Sequence, residues 1–148
     1  MSLMKGKKGL IMGVANERSI AWGISQKLSE AGAELAFTYL GDALKKRVIP
    51  LAEKLNSNVT FSCDVENKDE VVKLFEDIKS QWGKIDFVVH AVAFSDKSEL
   101  SGEYLNTHLK VLIYLRKQLR ELQNLFHSIL ILYPQIILLR LLFFQHHN

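Results

Sequence analysis

Short apolar runs alternate with amphipathic segments through the first part of the chain. Consecutive apolar residues bounded by turn-forming residues predict strands, whereas apolar residues three or four positions apart predict helices. By these criteria the predicted strands cover residues 8–12, 34–39, 58–63 and 86–91. The predicted helices cover residues 20–30, 42–55 and 67–82.

The spacing of apolar residues also predicts which side of two helices faces the core. In the first helix the shared face is Ile20, Ile24, Leu28 and Ala31. In the third helix it is Val71, Leu74, Phe75 and Ile78. The helix ends carry further signals, because Gly32 is placed as a C-cap, Asp42 as an N-cap, and Pro50 is expected to interrupt or kink the second helix.

Alternating strands and helices predict an α/β fold with parallel strands and right-handed crossovers. The expected architecture is a doubly wound sheet with helices on both faces, represented here by its N-terminal part of about four strands. In such sheets ligands bind beyond the carboxyl ends of the strands. The residues that follow each predicted strand are therefore the candidate functional residues.

The composition changes abruptly after about Thr107. Residues 109–148 contain no glycine, no alanine and a single acid, Glu121, while leucine and isoleucine dominate. We therefore divide the chain into residues 1–107, part of the α/β domain, and residues 108–148, an unrelated apolar tail expected to be helical. A shift of reading frame or a deliberate truncation near Thr107 would explain the change.

A membrane anchor is an alternative interpretation of this tail. Residues 126–144 are nearly long enough to span a bilayer, but Pro134, Gln135 and Arg140 oppose insertion. A membrane association is therefore not expected, and exposed apolar surface that promotes aggregation is the favoured interpretation.

Overall composition narrows the class of protein. The formal net charge of +3 is small and its Lys and Arg residues are interspersed with acids, which argues against a nucleic-acid-binding protein. Cys63 is the single cysteine, so an intrachain disulfide is impossible and a reducing compartment is expected. The N-terminus lacks the apolar stretch of a secretory signal, so we expect a cytoplasmic protein. His146 and His147 have no third ligand at a suitable spacing, and no metal site is predicted.

The segment after the first strand has the pattern of a phosphate-binding loop. Gly13 ends the apolar run, a polar loop follows, and Ser19 precedes a helix. Gly13 permits a tight turn, Ser19 is expected to cap the helix and to donate its hydroxyl to a phosphate, and Ile20 offers its backbone N–H. The alternative is that Ser19 is only an N-cap and Gly13 only a turn residue.

Four segments at the strand ends together resemble the enoyl-acyl-carrier-protein reductase branch of the short-chain dehydrogenase/reductase superfamily. They are Gly13-Val14-Ala15-Asn16 with Ser19-Ile20-Ala21, Thr38-Tyr39, Cys63-Asp64-Val65, and His90-Ala91-Val92-Ala93-Phe94. The resemblance covers residues 5–107 and then stops. It implies a Rossmann-like fold, NADH (NAD) as cofactor, and a role in fatty-acid synthesis.

The resemblance assigns further residues to a cofactor site. It implies that Asp64 accepts a hydrogen bond from the adenine amino group and that the Val65 backbone meets the adenine ring. Leu40 occupies a position near the adenosine, and Val92 a position beside the nicotinamide ribose. Ser95 matches a position that lines the substrate channel. Capping of the third helix remains an alternative role for Asp64, and core packing for Val92.

The choice between NADH and NADPH is left open by the residues themselves. The second strand ends without the acidic residue that usually binds a ribose 2′-hydroxyl. Lys45, Lys46 and Arg47 lie downstream, where they could reach a 2′-phosphate. Because the family mostly prefers NADH, NADH is favoured.

The resemblance also implies a catalytic tyrosine with a lysine seven residues later, and the chain lacks this pair after residue 107. Tyr39 and Lys46 have the spacing but follow the second strand, away from the expected site of hydride transfer. No catalytic residue is therefore assigned. The chain is expected to be a fragment that does not catalyse the reaction alone.

The resemblance implies enoyl-acyl-carrier protein as the partner of full-length relatives, which are homotetramers. The tetramer contacts are expected to be missing here. An alternative class is a non-catalytic dinucleotide-binding module or an inert relic.

Overall fold

Five strands and three helices make up the described part of the chain. The computed structural model describes residues 3–92 and the backbone of residues 137–140. The strands are β1 (Lys8–Met12), β2 (Glu34–Tyr39), β3 (Thr60–Ser62), β4 (Phe87–His90) and β5 (Ile137–Arg140). The helices are α1 (Ile20–Glu30), α2 (Gly41–Lys54) and α3 (Lys68–Trp82). The predicted alternation of four strands and three helices is confirmed.

The strands form one parallel sheet in the order β3-β2-β1-β4-β5. The central strand β1 pairs with β2 through Ile11 opposite Phe37, and with β4 through Met12 opposite His90. Since every pairing is parallel, the carboxyl ends of β1 to β4 lie at one edge of the sheet. The predicted doubly wound arrangement is confirmed.

Helices cover both faces of this sheet. On one face, α1 and α2 bury Trp22 and Val48 against Ile11 and Phe37. On the opposite face, α3 packs against a second cluster that includes Leu10. The predicted inward residues of α3 are confirmed, since all four are buried: Val71, Leu74, Phe75 and Ile78. Adjacent residues of β1 thus enter different clusters, which explains why this strand is apolar on both faces.

Several details of these elements differ from the prediction. Asp42 lies in the first turn of α2 and is not its N-cap. Helix α2 is not interrupted at Pro50, because Val48 and Leu51 hold it on the sheet on either side of the proline. Ile20 is 46% exposed, since α1 faces the core with Ala21 and Trp22 instead. Strand β3 spans three residues rather than six, because it pairs only with the second half of β2.

Part of the predicted tail belongs to the sheet. Residues 137–140 were expected to be helical, and this is wrong for these four residues, since they form β5 beside β4. An apolar segment that pairs with β4 satisfies backbone groups that an edge strand would leave open. Residues 93–136 and 141–148, including Ser95, lie outside the described residues. Among the residues described, no helix is long and apolar enough to cross a bilayer.

Asp86 fixes the beginning of β4 against the beginning of β1. Its Oδ2 accepts a 2.8 Å hydrogen bond from the Lys8 backbone N–H, and its Oδ1 lies 3.1 Å from the Lys7 ammonium group. Burial alone would raise the pKa of Asp86. The Lys8 hydrogen bond and the ammonium groups of Lys7 and Lys84 outweigh this effect and lower the pKa.

The Asp86 interactions predict a pH-dependent contribution to stability. A carboxyl whose pKa is lowered by folding stabilises the protein above its unfolded pKa, about 3.9, and loses that contribution as pH falls through its folded pKa. We expect Asp86→Asn to lower the free energy of unfolding by about 1 kcal/mol at neutral pH. The difference between variant and parent should shrink as pH falls below about 4.

Urea unfolding monitored by Trp fluorescence at several pH values measures this difference. Asp42→Asn, an exposed acid in the first turn of α2, is the matched control. An Asp86→Asn penalty that is the same at all pH values would contradict the charge-based explanation.

Candidate functional site

Candidate residues from four loops meet at the carboxyl edge of the sheet. Gly13 directly follows β1, and Leu40 directly follows β2. Asp64 and Val92 each lie two residues beyond the ends of β3 and β4. The parallel pairing therefore brings these positions to one edge, as the prediction required.

Gly13 makes the turn that follows β1 and touches the end of β4. Its φ is +105°, a conformation that favours glycine. A Cβ atom added there would lie 2.2 Å from the Ala91 carbonyl oxygen. The glycine is thus required by the approach of two strand ends, in addition to any approach of a ligand.

Ser19 holds the β1–α1 loop together through its hydroxyl group. The Ser19 Oγ accepts hydrogen bonds from the backbone N–H groups of Ala15 and Asn16, at 3.1 and 3.0 Å. It donates its own hydrogen to the Asn16 carbonyl oxygen. The predicted side-chain cap is wrong, because the hydroxyl is turned into the loop and makes no capping bond to α1. A phosphate contact from this hydroxyl would require it to rotate away from Asn16.

The first turn of α1 presents backbone N–H groups at this edge. The Trp22 N–H donates to the Ser19 carbonyl oxygen at 2.9 Å. Ile20 and Ala21 are the first two helical residues, and an α-helix offers no internal acceptor to N–H groups at such positions. With the positive end of the helix dipole, they form a suitable place for an anion.

Asp64 lies in a turn that leads into α3. Its Oδ1 accepts a 2.9 Å hydrogen bond from the Glu66 N–H. A carboxylate has four lone-pair positions, so the group retains capacity to accept from a ligand. The alternative that Asp64 caps α3 is wrong, because Asn67 is the cap and accepts from the Asp69 and Glu70 N–H groups.

Glu70 positions Asp64 and was not identified from the sequence. Its Oε2 accepts a 2.8 Å hydrogen bond from the Asp64 N–H, and its Oε1 accepts one from the Asn67 side chain at 3.1 Å. The signal was present, since Asn67 and Glu70 have the spacing of a capping box. In this protein Glu70 also accepts a hydrogen bond from the backbone of Asp64, which precedes the Asn67 cap.

The apolar candidates differ in exposure. Leu40 is 53% exposed, so its side chain is available to a ligand. Val65 and Val92 are half-buried and pack against the cluster beneath α3. Val65 and Val92 are therefore placed both to pack in the core and to contact a ligand at the carboxyl edge of the sheet.

Two other candidates, Cys63 and His90, are buried in the fold. Cys63 is buried, and burial, followed by the charges of Glu70 and Asp64, raises the pKa of its thiol to about 12. The thiol is therefore protonated and unreactive at neutral pH. His90 is buried at the end of β4. Within residues 3–92 and 137–140 no cluster of three or more metal-ligating side chains occurs.

The basic residues of α2 separate into two groups. Lys46 and Arg47 line a cavity together with Arg18 of the β1–α1 loop, whereas Lys45 does not. Tyr39 ends β2, which is separated from β4 by β1. The Tyr39–Lys46 pair therefore lies on the β2 side of the sheet, as predicted from its place after the second strand.

Comparison with known proteins identifies the relatives of this chain. A family model described as enoyl-(acyl carrier protein) reductase matches residues 13–114. The chain is 60% identical over 105 residues to enoyl-[acyl-carrier-protein] reductase [NADH] 1 of Rhizobium meliloti. The aligned region covers 71% of this chain and 39% of that protein. The chain thus spans about two fifths of the length of the curated relatives it matches.

Solved structures show the same fold. The reductase of Anaplasma phagocytophilum, in complex with NAD, is 45% identical and superposes with a TM-score of 0.73, over 82% of this chain and 48% of that one. The reductase of Bacillus cereus, with NADP+ and an indole naphthyridinone, is 38% identical and superposes with a TM-score of 0.74, over 84% of this chain and 51% of that one.

The contact between Gly13 and Ala91 predicts a large cost for a side chain at position 13. Gly13→Ala should lower the free energy of unfolding by about 2–4 kcal/mol, because the methyl group meets a backbone carbonyl at an unfavourable φ. Gly41→Ala is the control, since Gly41 has φ +72° but a Cβ there meets nothing within 4 Å. Its cost should be about 1 kcal/mol. Equal urea midpoints for the two variants would contradict the proposed contact.

The hydrogen bonds of Ser19 predict local protection in the loop. Ser19→Ala should accelerate amide hydrogen exchange at Ala15 and Asn16, because each N–H loses its acceptor, at about 1 kcal/mol per bond. Ser80→Ala, at an exposed position of α3, should leave these amides unchanged. Unchanged exchange in the Ser19 variant would show that the hydroxyl does not hold the loop.

Proposed function

The chain belongs to the enoyl-(acyl carrier protein) reductase family, and we propose that it forms the NADH-binding part of the family's fold without catalysing the reaction alone. The observation that carries this proposal is the convergence of the ends of β1 to β4 at the edge where α1 begins. A dinucleotide needs an anion-binding element and a base-binding element within reach of each other, and this edge contains candidates for both.

The residues present suit the parts of the proposed cofactor. The Ile20 and Ala21 amides, approached through the tight turn at Gly13, would hold the diphosphate. Asp64 would accept from the adenine amino group beside Val65. When bound, NADH supplies a hydride.

The remaining assigned residues would complete the proposed site. Leu40, exposed after β2, would flank the adenosine. Val92 would lie beside the nicotinamide ribose, because it follows β4, on the opposite side of β1 from Leu40. Ser95, outside the described residues, would line a substrate channel. The names of the curated relatives specify NADH, which supports NADH as the preferred cofactor.

The proposed lack of turnover rests on the residues of the chain. Reduction of an enoyl thioester leaves negative charge on the thioester oxygen, which needs a positioned donor. The resemblance implies that a tyrosine is this donor in the family and that a lysine follows it seven residues later. After residue 92 the chain has three tyrosines, and none has a lysine at that spacing. The residues found there are Val111 after Tyr104, Glu121 after Tyr114 and Arg140 after Tyr133.

For a whole protein of this family, we propose a trans-2-enoyl group on acyl-carrier protein as the substrate. The division of the chain near residue 107, and a shift of reading frame as its origin, remain predictions. A gene sequence that encodes a Tyr-x6-Lys segment in another frame beyond this point would support the shift, and its absence from both other frames would exclude it.

Two measurements on the full 148-residue chain test the proposal. Titration with NADH, followed by NADH fluorescence, should show saturable binding. Addition of crotonyl thioester should cause no loss of NADH absorbance. Turnover would overturn the proposed incompetence, and absence of binding by a folded chain would favour an inert relic.

Asp64→Asn tests the adenine contact specifically. The amide oxygen can keep the bond from the Glu66 N–H, while the amide nitrogen replaces the remaining acceptor with a donor. We expect NADH affinity to fall about tenfold, corresponding to a lost hydrogen bond to a charged group, with an unchanged urea midpoint. Glu76→Gln, on the exposed side of α3, is the matched control. Unchanged affinity in the Asp64 variant would remove Asp64 from the site.

A further inference from the structure

Three hydrogen bonds hold Asp64 in the turn between β3 and α3. The Asp64 N–H donates to the Glu70 Oε2 at 2.8 Å, and the Asp64 carbonyl oxygen accepts from the Asn67 N–H at 3.1 Å. The Asp64 Oδ1 accepts from the Glu66 N–H at 2.9 Å. The backbone donor, the backbone acceptor and one carboxylate oxygen of Asp64 are therefore engaged within the turn, while the second carboxylate oxygen retains its capacity to accept.

The role of Glu70 in this turn differs from that of an ordinary capping residue. Glu70 is the third residue of α3, where a capping-box glutamate accepts from the backbone N–H of the N-cap. Here the N-cap is Asn67, and its N–H donates to the Asp64 carbonyl oxygen instead. One Glu70 oxygen is thereby available to the Asp64 N–H, and the other accepts from the Asn67 side chain at 3.1 Å. A single carboxylate thus joins Asp64 to the first turn of α3.

Both ends of the turn are anchored to buried parts of the fold. On one side, the N–H of the buried Cys63 donates to the carbonyl oxygen of the last residue of β2 at 3.0 Å. On the other side, Val71 is buried beneath α3, and its N–H donates to the Asn67 carbonyl oxygen at 3.1 Å. Glu70 directly precedes Val71 and is itself partly buried. The packed face of α3 therefore fixes the backbone of Glu70, and the hydrogen bond passes that constraint to Asp64.

A carboxylate held in a fixed place distinguishes purine bases by their substituents. Adenine carries an amino group, which donates, at the ring position where hypoxanthine carries a carbonyl oxygen, which accepts. An ionised carboxylate can only accept, so it attracts the amino group and repels the carbonyl oxygen. Such discrimination is strongest where the hydrogen-bonding group of the site is held in position by further hydrogen bonds.

We propose that Glu70 is a positioning residue that sets the preference of the site for adenine over hypoxanthine. The inference rests on the proposed NADH-binding function, because Glu70 acts through Asp64. Without Glu70, the Asp64 N–H loses its acceptor and the turn is no longer joined to α3 at this point. The Asp64 carboxylate is then free to turn away from a carbonyl oxygen, and it also holds the adenine amino group less well.

Titration of the full chain with NADH and with reduced nicotinamide hypoxanthine dinucleotide measures this preference as a ratio of dissociation constants. In the parent chain the hypoxanthine compound should bind about tenfold more weakly, as expected for a lost hydrogen bond to a charged group. Glu70→Ala should reduce the ratio to about threefold, which is half of the parental preference on a free-energy scale. In an Asp64→Asn background, Glu70→Ala should change the ratio no further, because its effect passes through the Asp64 carboxylate.

Two further variants separate positioning from helix capping. Glu70→Gln keeps an oxygen that can accept from the Asp64 N–H, so it should retain the parental ratio. Asn67→Ala removes the cap of α3 but leaves the bond between Glu70 and Asp64. It should lower the urea midpoint and leave the ratio unchanged.

Amide hydrogen exchange in the absence of any dinucleotide provides an independent readout. Exchange at the Asp64 N–H should be about tenfold faster in Glu70→Ala than in the parent, and Glu70→Gln should retain the parental rate. An unchanged rate in Glu70→Ala would overturn the inference, because it would show that Glu70 does not hold Asp64.

The outcomes keep this inference apart from the function on which it rests. Absence of NADH binding by the folded parent chain would overturn the proposed function and the base preference with it. NADH binding with the same base preference in Glu70→Ala as in the parent would overturn only the role of Glu70. Equal loss of preference in Glu70→Ala and Asn67→Ala would also overturn it, since capping of α3 would then account for both.

Discussion

Strand β1 is the centre of the sheet on which the candidate site depends. It pairs with β2 on one side and β4 on the other, and its adjacent residues Leu10 and Ile11 enter opposite hydrophobic clusters. A shift of one residue would exchange the side chains of the two faces and disrupt the packing of both clusters. The same register brings Gly13 against the Ala91 carbonyl. The pairings of β1 with β2 and β4 therefore determine both the packing of β1 and the geometry of the carboxyl edge of the sheet.

Elements with a strong local pattern were predictable from the sequence. Strand β1, helix α1 and strand β2 have the predicted bounds, because each combines a clear periodicity with a terminating glycine or polar residue. The short β3 was overestimated, since the length of an edge strand depends on how much of β2 remains available for pairing. Helix α2 also continues through Pro50, because burial of α2 against the sheet outweighs a local propensity to break the helix.

Side-chain directions at the site could not be derived in the same way. Ser19 was correctly placed before α1, but whether its hydroxyl faces the helix or the loop depends on the path of residues 15–16. Glu70 was recognisable as a capping residue, yet its bond to the Asp64 N–H depends on the turn between them. The Glu17–Lys54 ion pair joins the β1–α1 loop to α2, segments that only the fold brings together. Likewise, the apolar pattern of residues 137–140 suits a helix or a strand, and the exposed edge of β4 favours the strand.

The arrangement of charge along the edge suits an extended ligand better than a small anion. The N–H groups of α1 follow β1, whereas the Asp64 carboxylate follows β3, and β2 lies between these strands. Two strand spacings separate positive and negative regions by about 10 Å. A single phosphate could use only the first region, and the carboxylate would add nothing to its binding. A ligand with a phosphate at one end and a hydrogen-bond donor at the other can satisfy both, and a dinucleotide has this composition.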